Sequence, residues 1–498
     1  MPGKIFNSLG KHLISPVIFT ICLIISQPQQ ILAVNQQPDT NKHLRNIAPN
    51  HYIKLSIDSS THRNYGLAYP ITHTFSLPAT FSALKAYKRH RQTQPWREIT
   101  EKTSRDFFNG IEAVRFDYLN NIAYISLSFD CLSDEIHLKI LDSSGKAVNA
   151  TYQGISDYYD NRDAAIVATA DDWDGYEPNN TGFKMACDAF TQRKIWLTVG
   201  ITTHGQVNLK VVPHQFWSAV IWDEVQSKVD AGYIEVASHS LTHPGPGCGH
   251  FYKYTGPHTG TDNQRFVLED KRANNGMGFP SSDKSYLVGL RVKNTTDKSS
   301  GIITSNTNST ITCAAGLSGG TGNCWNKGDT YSISLYDSEI GTSKDEIITN
   351  LNLPYAQGSN EYVYAWFEPC CYSDHTVLTK LGQFKYLVDR NSIPGAQTFA
   401  PWSQTPKIFG PTGCSLWIEN SALAAANKKF DNMVSRGNIY HICMHPRDVD
   451  WSDDSWIYDH LNYIHGRTNL WYVGLGHLYL YHYVNKLNKI TVEKIAGE

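Results

Sequence analysis

Residues 164–170 (AAIVATA), followed at once by Asp171 and Asp172, decide the fold. A continuous run of apolar and small residues is typical of a strand that is covered on both faces, as in a parallel sheet. Residues 195–201 (IWLTVGI) and 233–237 (YIEVA) are two further runs of this kind. Between them, apolar residues recur at helical spacing from Phe216 to Val229 and stop before Gly232. The alternation of buried strands with an amphipathic helix predicts parallel βα units, in a barrel or an open sheet.

The same alternation continues toward the carboxyl terminus. The sequence predicts strands at 362–367, 438–444 and 470–473, and helices at about 421–435, at 456–464 and from about 478. Residues 260–340 interrupt it, because clusters of Ser, Thr, Asn and Gly separate short strand-like runs such as 309–313 (STITC). We interpret this segment as a β-rich insertion on the loop side. The insertion either shapes the access of substrate to the site, or it is a surface segment without a role there.

The chain before residue 160 has a different pattern. Residues 60–160 contain short alternating runs, including 121–129 and 135–141 with a turn at 142–145, which predict an antiparallel β-rich accessory domain. Residues 34–59 are polar and read as a linker.

The first 33 residues are typical of an export signal. A basic start with Lys4 and Lys11 precedes the apolar run 13–25, which is shorter than the roughly 20 residues of a membrane span. We expect cleavage after Ala33, with an uncleaved anchor as the alternative, and a secreted, periplasmic or cell-surface protein without stable membrane insertion.

The charge balance and the cysteine content argue against nucleic-acid binding and against a zinc site made of cysteines. The 498 residues include 44 Lys and Arg against 46 Asp and Glu, so no global positive field favours nucleic acid as a partner. Ten cysteines are present without a CxxC spacing, which argues against a cysteine zinc site. In an oxidising compartment Cys313 and Cys324 are the best candidate disulfide, while Cys443 is a candidate free thiol.

Three groups of polar residues follow predicted strands. Asp171 and Asp172 end the first strand, His239 and His243 follow the third, and His445 ends the run 442–445 (ICMH). Because Pro244 disfavours helical backbone at His243, the two histidines are expected in a loop. Two histidines and a carboxylate form a set that leaves metal positions open for water and substrate. Each group alone also fits a solvated loop or a structural histidine.

Together these groups resemble the polysaccharide deacetylases with a NodB-type catalytic domain. Residues 169–172 (TADD) are similar to the first motif of that family, 238–243 (SHSLTH) to its second, and 442–445 to its last. The resemblance covers about 160–260 and 345–485. It implies a deformed (β/α) barrel over 161–490, interrupted by the insertion. It also implies an exported metal-dependent enzyme that hydrolyses acetyl groups from an acetylated polysaccharide.

The resemblance also implies a role for individual residues. A divalent metal, usually zinc, would be held by Asp172, His239 and His243, and would polarise the acetyl carbonyl and a water molecule. Asp171 would act as general base and His445 as general acid. By position, the backbone N–H of Cys370 would help to hold the oxyanion.

The third motif departs from the family. The family has Arg-x-Pro there, with the arginine paired to the catalytic aspartate, whereas this chain has Phe367, Glu368 and Pro369. Glu368 is either part of a divergent motif or an ordinary loop carboxylate. Arg390 and Arg447 are the candidates for an alternative partner of Asp171.

The fourth motif, which supports the last histidine in the family, is not recognisable. Asp448 and Asp450 are the nearby candidates. Two alternatives therefore stay open beside the deacetylase: a non-catalytic carbohydrate-binding or adhesion protein on a deacetylase-like barrel, and a metal hydrolase that acts on another amide or ester.

Overall fold

The structure is a computed structural model that describes residues 51–57, 70–90, 92–102, 111–129, 135–208, 215–216, 218–247, 249–280, 286–353, 363–391, 409–412, 414–487 and 490–496. The predicted export signal lies outside these residues. No helix in the described part of the chain is long and apolar enough to cross a membrane.

The amino-terminal part of the described chain consists of strands. They are β1 His51–Ser56, β2 Ile71–Ser76, β3 Leu84–Arg89, β4 Arg97–Ile99, β5 Ala113–Asp117, β6 Ile122–Leu127, β7 Glu135–Asp142 and β8 Thr151–Ile155.

Alternating strands and helices follow. They are β9 Ala164–Trp173, α1 Glu177–Gln192, β10 Leu197–Ile201, β11 Val207–Asn208, β12 Gln215–Phe216, α2 Trp222–Ala231 and β13 Ile234–Ser238.

The next seven strands form the insertion. They are β14 Lys253–Pro257, β15 Val267–Glu269, β16 Arg291–Asn294, β17 Ser300–Ile302, β18 Ser305–Asn306, β19 Thr310–Thr312 and β20 Thr330–Ser334.

The alternation then resumes to the carboxyl terminus. Its elements are α3 Ser343–Asn350, β21 Ala365–Phe367, α4 His375–Gln383, β22 Val388–Arg390, β23 Phe409–Thr412, β24 Leu416–Trp417, α5 Leu423–Val434, β25 Ile439–Met444, α6 Trp456–Ile464, β26 Leu470–Tyr472, α7 Leu475–Leu487 and β27 Thr491–Ala496.

The largest sheet is parallel and curled. Its strand order is β23-β22-β21-β13-β10-β9-β25-β24, with β26 also paired to β9, and every one of these pairs is parallel. The two outermost strands are consecutive in the chain, because β23 ends at Thr412 and β24 begins at Leu416. The opposite edges of the sheet must therefore lie near each other, and the sheet curls into a half-barrel. The predicted α/β architecture with parallel βα units is confirmed, and the continuous apolar runs are its buried strands.

Two antiparallel sheets form the amino-terminal part. Their orders are β27-β1-β7-β3-β4 and β5-β6-β2-β8, which confirms the antiparallel character predicted for 60–160. The sheets extend beyond that range at both ends. Strand β1 falls within the segment 34–59 that the sequence analysis interpreted as linker, and β27 comes from the carboxyl terminus.

The amino-terminal sheets and the parallel sheet share a hydrophobic core. Phe75 of β2 and Ile125 of β6 belong to the same buried cluster as Val167 of β9 and Trp471 of β26. The hydroxyl of Tyr481 in α7 donates to the carbonyl of Ser156 at 2.7 Å, which links the two parts by a buried hydrogen bond. Burial of this shared surface is the main force that joins them.

The insertion has sheets and a core of its own. The orders are β14-β20-β16-β17 and β15-β19-β18, and Trp325 and Tyr331 are fully buried between them. The predicted β-rich insertion is therefore present. The expected disulfide is not formed: Cys313 is a free buried thiol, and Cys324 is a free, half-buried one. The hydrophobic core of the insertion supplies the stabilisation that a cross-link was expected to give.

Candidate metal centre

The carboxyl ends of neighbouring parallel strands bring the predicted polar residues together. Asp171 and Asp172 lie near the end of β9, and His239 directly follows β13, one strand away across β10. Carboxyl ends of parallel strands meet at one edge of a sheet, which is where α/β folds bind ligands. Asp172 has a positive φ of 77°, a costly conformation for a residue with a side chain, and one that often occurs at functional sites.

Asp172, His239 and His243 converge on one point. Asp172 Oδ1 lies 3.1 Å from His239 Nε2 and 3.2 Å from His243 Nε2. All three residues are buried, and they form a group that could hold a metal ion. For bonds of roughly 2.1 Å, tetrahedral ligand atoms lie about 3.4 Å apart, so the observed separations match a single ion after small adjustments. The residues present therefore fit the expected metal.

The second ring nitrogen of His239 fixes its orientation. Nδ1–H donates to the carbonyl of Phe367 at 2.9 Å, which leaves Nε2 directed at Asp172. Burial and the neighbouring His243 lower the pKa of His239 despite its hydrogen bond to Asp172. Both effects favour the neutral ring that metal binding requires.

The charge state of Asp172 also suits a ligand. Burial alone would raise its pKa, but the charge of His243 and the hydrogen bonds from His239 and His243 outweigh burial and hold the pKa well below its ordinary value. The other carboxylate oxygen, Oδ2, lies 3.1 Å from Arg447 Nη1. Asp172 thus presents one oxygen to the histidines and the other to a cation.

The segment between the two histidines is a loop, as predicted from Pro244. Ser240 and His243 have positive φ values of 74° and 59°. The hydroxyl of Ser240 accepts from the backbone N–H of His243 at 2.7 Å, and Glu339 accepts from the backbone N–H groups of Leu241 and Thr242. These bonds hold His243 beside His239 without a helix.

Asp171 is paired with Arg390. The guanidinium group of this fully buried arginine contacts the Asp171 carboxylate, and its Cζ lies 4.0 Å from the ring centroid of Phe367. Arg390 ends β22 and is the direct cross-strand neighbour of Phe367 on β21. The charge expected at Phe367 is therefore supplied from the adjacent strand. Of the two arginines proposed for this role, Arg390 contacts Asp171, whereas Arg447 contacts Asp172.

His445 lies at the same edge, beyond the end of β25. Its Nε2 is 4.0 Å from Asp172 Oδ2, and its Nδ1–H donates to Glu419 Oε1 at 2.9 Å. The ring of Trp417 is stacked on the imidazole with centroids 4.8 Å apart and an interplanar angle of 15°. Since the His445 side chain stays 31% exposed, it can reach a ligand from solvent while two neighbours fix its orientation.

Neither aspartate considered as a support for His445 takes that place. The Asp448 carboxylate pairs with Arg447 Nε at 3.5 Å, and the Asp450 carboxylate accepts from the backbone N–H of Ser452 at 2.9 Å. The supporting carboxylate is Glu419, which the sequence analysis missed. It follows Trp417 by two residues, but no spacing relative to His445 marks it, because strand pairing between β24 and β25 creates the contact.

The segment in which the third motif was expected lies next to the candidate metal ligands. Glu368 and Pro369 are buried, and Asn391 Nδ2 donates to Glu368 Oε2 at 3.2 Å. Burial and the charge of the neighbouring Asp389 raise the pKa of Glu368, which favours its neutral form. Cys370 follows with a positive φ of 53°, and its Sγ lies 3.9 Å from His243 Nδ1. The predicted oxyanion residue is thus adjacent to His243, a candidate metal ligand.

Neither protein-family models nor curated proteins give a match to this chain. The chemistry of the site therefore rests on its residues. An oxygen and two imidazole nitrogens accept several divalent ions, so the donor set does not select one metal.

Proposed function

We propose that this chain is an exported, metal-dependent polysaccharide deacetylase that removes acetyl groups from a glycan. The observation that carries the proposal is the convergence of Asp172, His239 and His243 at the edge where Asp171 is held by Arg390 and His445 faces Asp172. A metal-binding set flanked by an aspartate and a histidine is the arrangement that metal-assisted hydrolysis of an acetyl bond needs.

In this proposal Asp171 accepts the proton of the attacking water. Its contact with the buried Arg390 places a positive charge against the carboxylate and fixes its direction, and both favour a general base. A divalent ion on the three neighbouring ligands would polarise the acetyl carbonyl and make the water more acidic.

His445 then donates a proton to the leaving nitrogen or oxygen. The carboxylate of Glu419 holds Nδ1–H, so Nε2 faces the metal ligands. A histidine held in this way can donate the proton on Nε2 to the leaving group as the tetrahedral intermediate collapses. The backbone N–H of Cys370 is proposed to stabilise the oxyanion.

The non-catalytic alternative is supported less well than the sequence alone suggested. That alternative rested on a missing arginine and a missing partner for the last histidine. Arg390 and Glu419 contact Asp171 and His445, the two residues that would lack support. A protein that only binds sugar has no need for either contact.

The experiment is acetate release from a panel of N- and O-acetylated glycans. The chain is assayed as purified, after chelation, and after addition of zinc or cobalt. Release that is lost on chelation, restored by metal and abolished in Asp171→Asn is the expected result. Asp450→Asn is the matched control, since this exposed carboxylate near His445 bonds only within its own turn.

Failure to release acetate from any glycan, with metal bound in stoichiometric amount, would contradict the proposal and favour a binding protein. Release of a different acyl group would favour the third reading, a hydrolase for another amide or ester.

A further inference from the structure

Two buried thiols lie next to each other behind the proposed general acid. Cys414 and Cys443 form a small buried cluster with Trp417, and each cysteine is almost completely buried. Cys414 lies just before β24 and Cys443 is in β25, where Trp417 is its direct partner across the parallel strand pair. Both cysteines carry free thiols in the structure, as predicted for Cys443. Burial, followed by the neighbouring thiol of Cys414, raises the pKa of Cys443.

The surroundings of the pair connect it to the site. Cys443 Sγ accepts from Thr169 Oγ1 at 3.3 Å, two residues before Asp171. Trp417 contacts the pair and also stacks on His445. The segment from Cys414 to Cys443 contains Trp417, Glu419 and α5, and His445 follows it by two residues.

We propose that Cys414 and Cys443 are a disulfide-forming pair, oxidised as the chain folds in an oxidising compartment. The bond would close a loop of about 30 residues and join the segment that supports His445 to the strand that carries it. Complete burial would then protect the disulfide from reductants in the folded protein.

The step proceeds by thiol–disulfide exchange with a small disulfide such as oxidised glutathione. The thiolate of one cysteine attacks the oxidant, forms a mixed disulfide and releases one reduced thiol. The second cysteine, as thiolate, attacks the mixed disulfide and releases the other reduced thiol. The protein loses two protons and two electrons, and the oxidant gains both as two reduced thiols.

This pairing differs from the one that sequence spacing suggested. Cys313 and Cys324 are close in sequence, whereas Cys414 and Cys443 are distant in sequence and meet in one buried cluster with Trp417.

The test is disulfide mapping of the full chain. Protein folded with a mixture of oxidised and reduced glutathione is denatured, alkylated and digested, and a second portion is reduced before alkylation. We expect a linked peptide pair containing Cys414 and Cys443 in the first portion and two alkylated peptides in the second. Cys187, a free buried cysteine in α1, is the internal control and should be alkylated in both.

Thermal unfolding supplies a second measurement. We expect the oxidised protein to unfold about 3–4 °C above the reduced protein, and the Cys414→Ala variant to lose this difference. Full alkylation of both cysteines in the oxidised portion would overturn the proposal. A link from either cysteine to a different one, or to glutathione alone, would also overturn it. None of these outcomes depends on enzymatic activity.

Discussion

Replacement of Arg390 by methionine tests how the buried charges of the site depend on each other. The side chains of Arg390 and Asp171 are 0% and 4% exposed, so water screens their interaction very little. Removing one member of such a pair leaves the other charge buried without compensation, which costs about 3–5 kcal/mol of unfolding free energy. A Coulomb estimate of about 4 kcal/mol at an effective dielectric constant near 20 agrees.

A double-mutant cycle separates this electrostatic loss from the loss of packing against Phe367. Arg390→Met is compared with Asp171→Asn and with the double variant by chemical denaturation. Because the double variant buries no uncompensated charge, we expect it to be more stable than the sum of the single effects by about 3 kcal/mol. A coupling energy below about 0.5 kcal/mol would refute the reasoning.

The same variant has a catalytic consequence if the proposed function is right. A buried carboxyl group without a cationic neighbour holds its proton, so Asp171 could no longer accept one at neutral pH. We expect acetate release to fall by about 10²-fold or more and to recover partly as the pH is raised. Arg390→Lys keeps the charge but loses the planar group over Phe367, and its activity should be intermediate.

Three further predictions follow from the same contacts. His239→Ala should reduce bound metal, measured by elemental analysis, from about one ion per chain to near zero, whereas the half-exposed His204→Ala should leave it unchanged. Glu419→Gln removes the charge that holds His445, so acetate release should slow by about 10–100-fold with metal content unaltered; equal rates would contradict the role of Glu419. Burial, followed by the charge of Asp389, raises the pKa of Glu368, so the folded state favours its proton. The stability that the protonated Glu368 contributes is present below the ordinary carboxyl pKa and is lost as the pH rises toward the raised value. The melting temperature of Glu368→Gln relative to that of the unchanged chain should therefore increase between about pH 5 and 9. A difference in melting temperature that does not change with pH would contradict this assignment.

The parallel sheet could be predicted because strands that are buried on both faces have continuous runs of apolar residues. The apolar runs at β9, β10 and β13 need no knowledge of their neighbours to be recognised as strands. Asp172, His239 and His243 were predicted for a related reason, since each lies at or just beyond the carboxyl end of such a strand.

Of the supporting residues, Glu419 was not predicted and Arg390 was named only as one of two candidates, because their positions depend on which strands are neighbours. Arg390 reaches Asp171 only because β22 lies beside β21 and the curled sheet brings its carboxyl end toward that of β9. Glu419 reaches His445 through pairing of β24 with β25. Arg390 and Asp171 are 219 residues apart in the sequence, and a contact over this separation cannot be predicted from a local sequence pattern.

The pairing of β1 with β27 has a consequence for the order in which the protein can fold. Strand β1 has β7 on one side and β27 on the other, from His51 opposite Ala496 to Ser56 opposite Thr491. During synthesis β7 emerges soon after β1, whereas β27 follows only after the insertion and all strands of the parallel sheet have been made. Until then β1 offers an open row of backbone hydrogen-bonding groups, which is a template for association with other chains. Deletion of β27 should therefore promote aggregation of the newly made protein, although it removes no residue of the candidate metal centre.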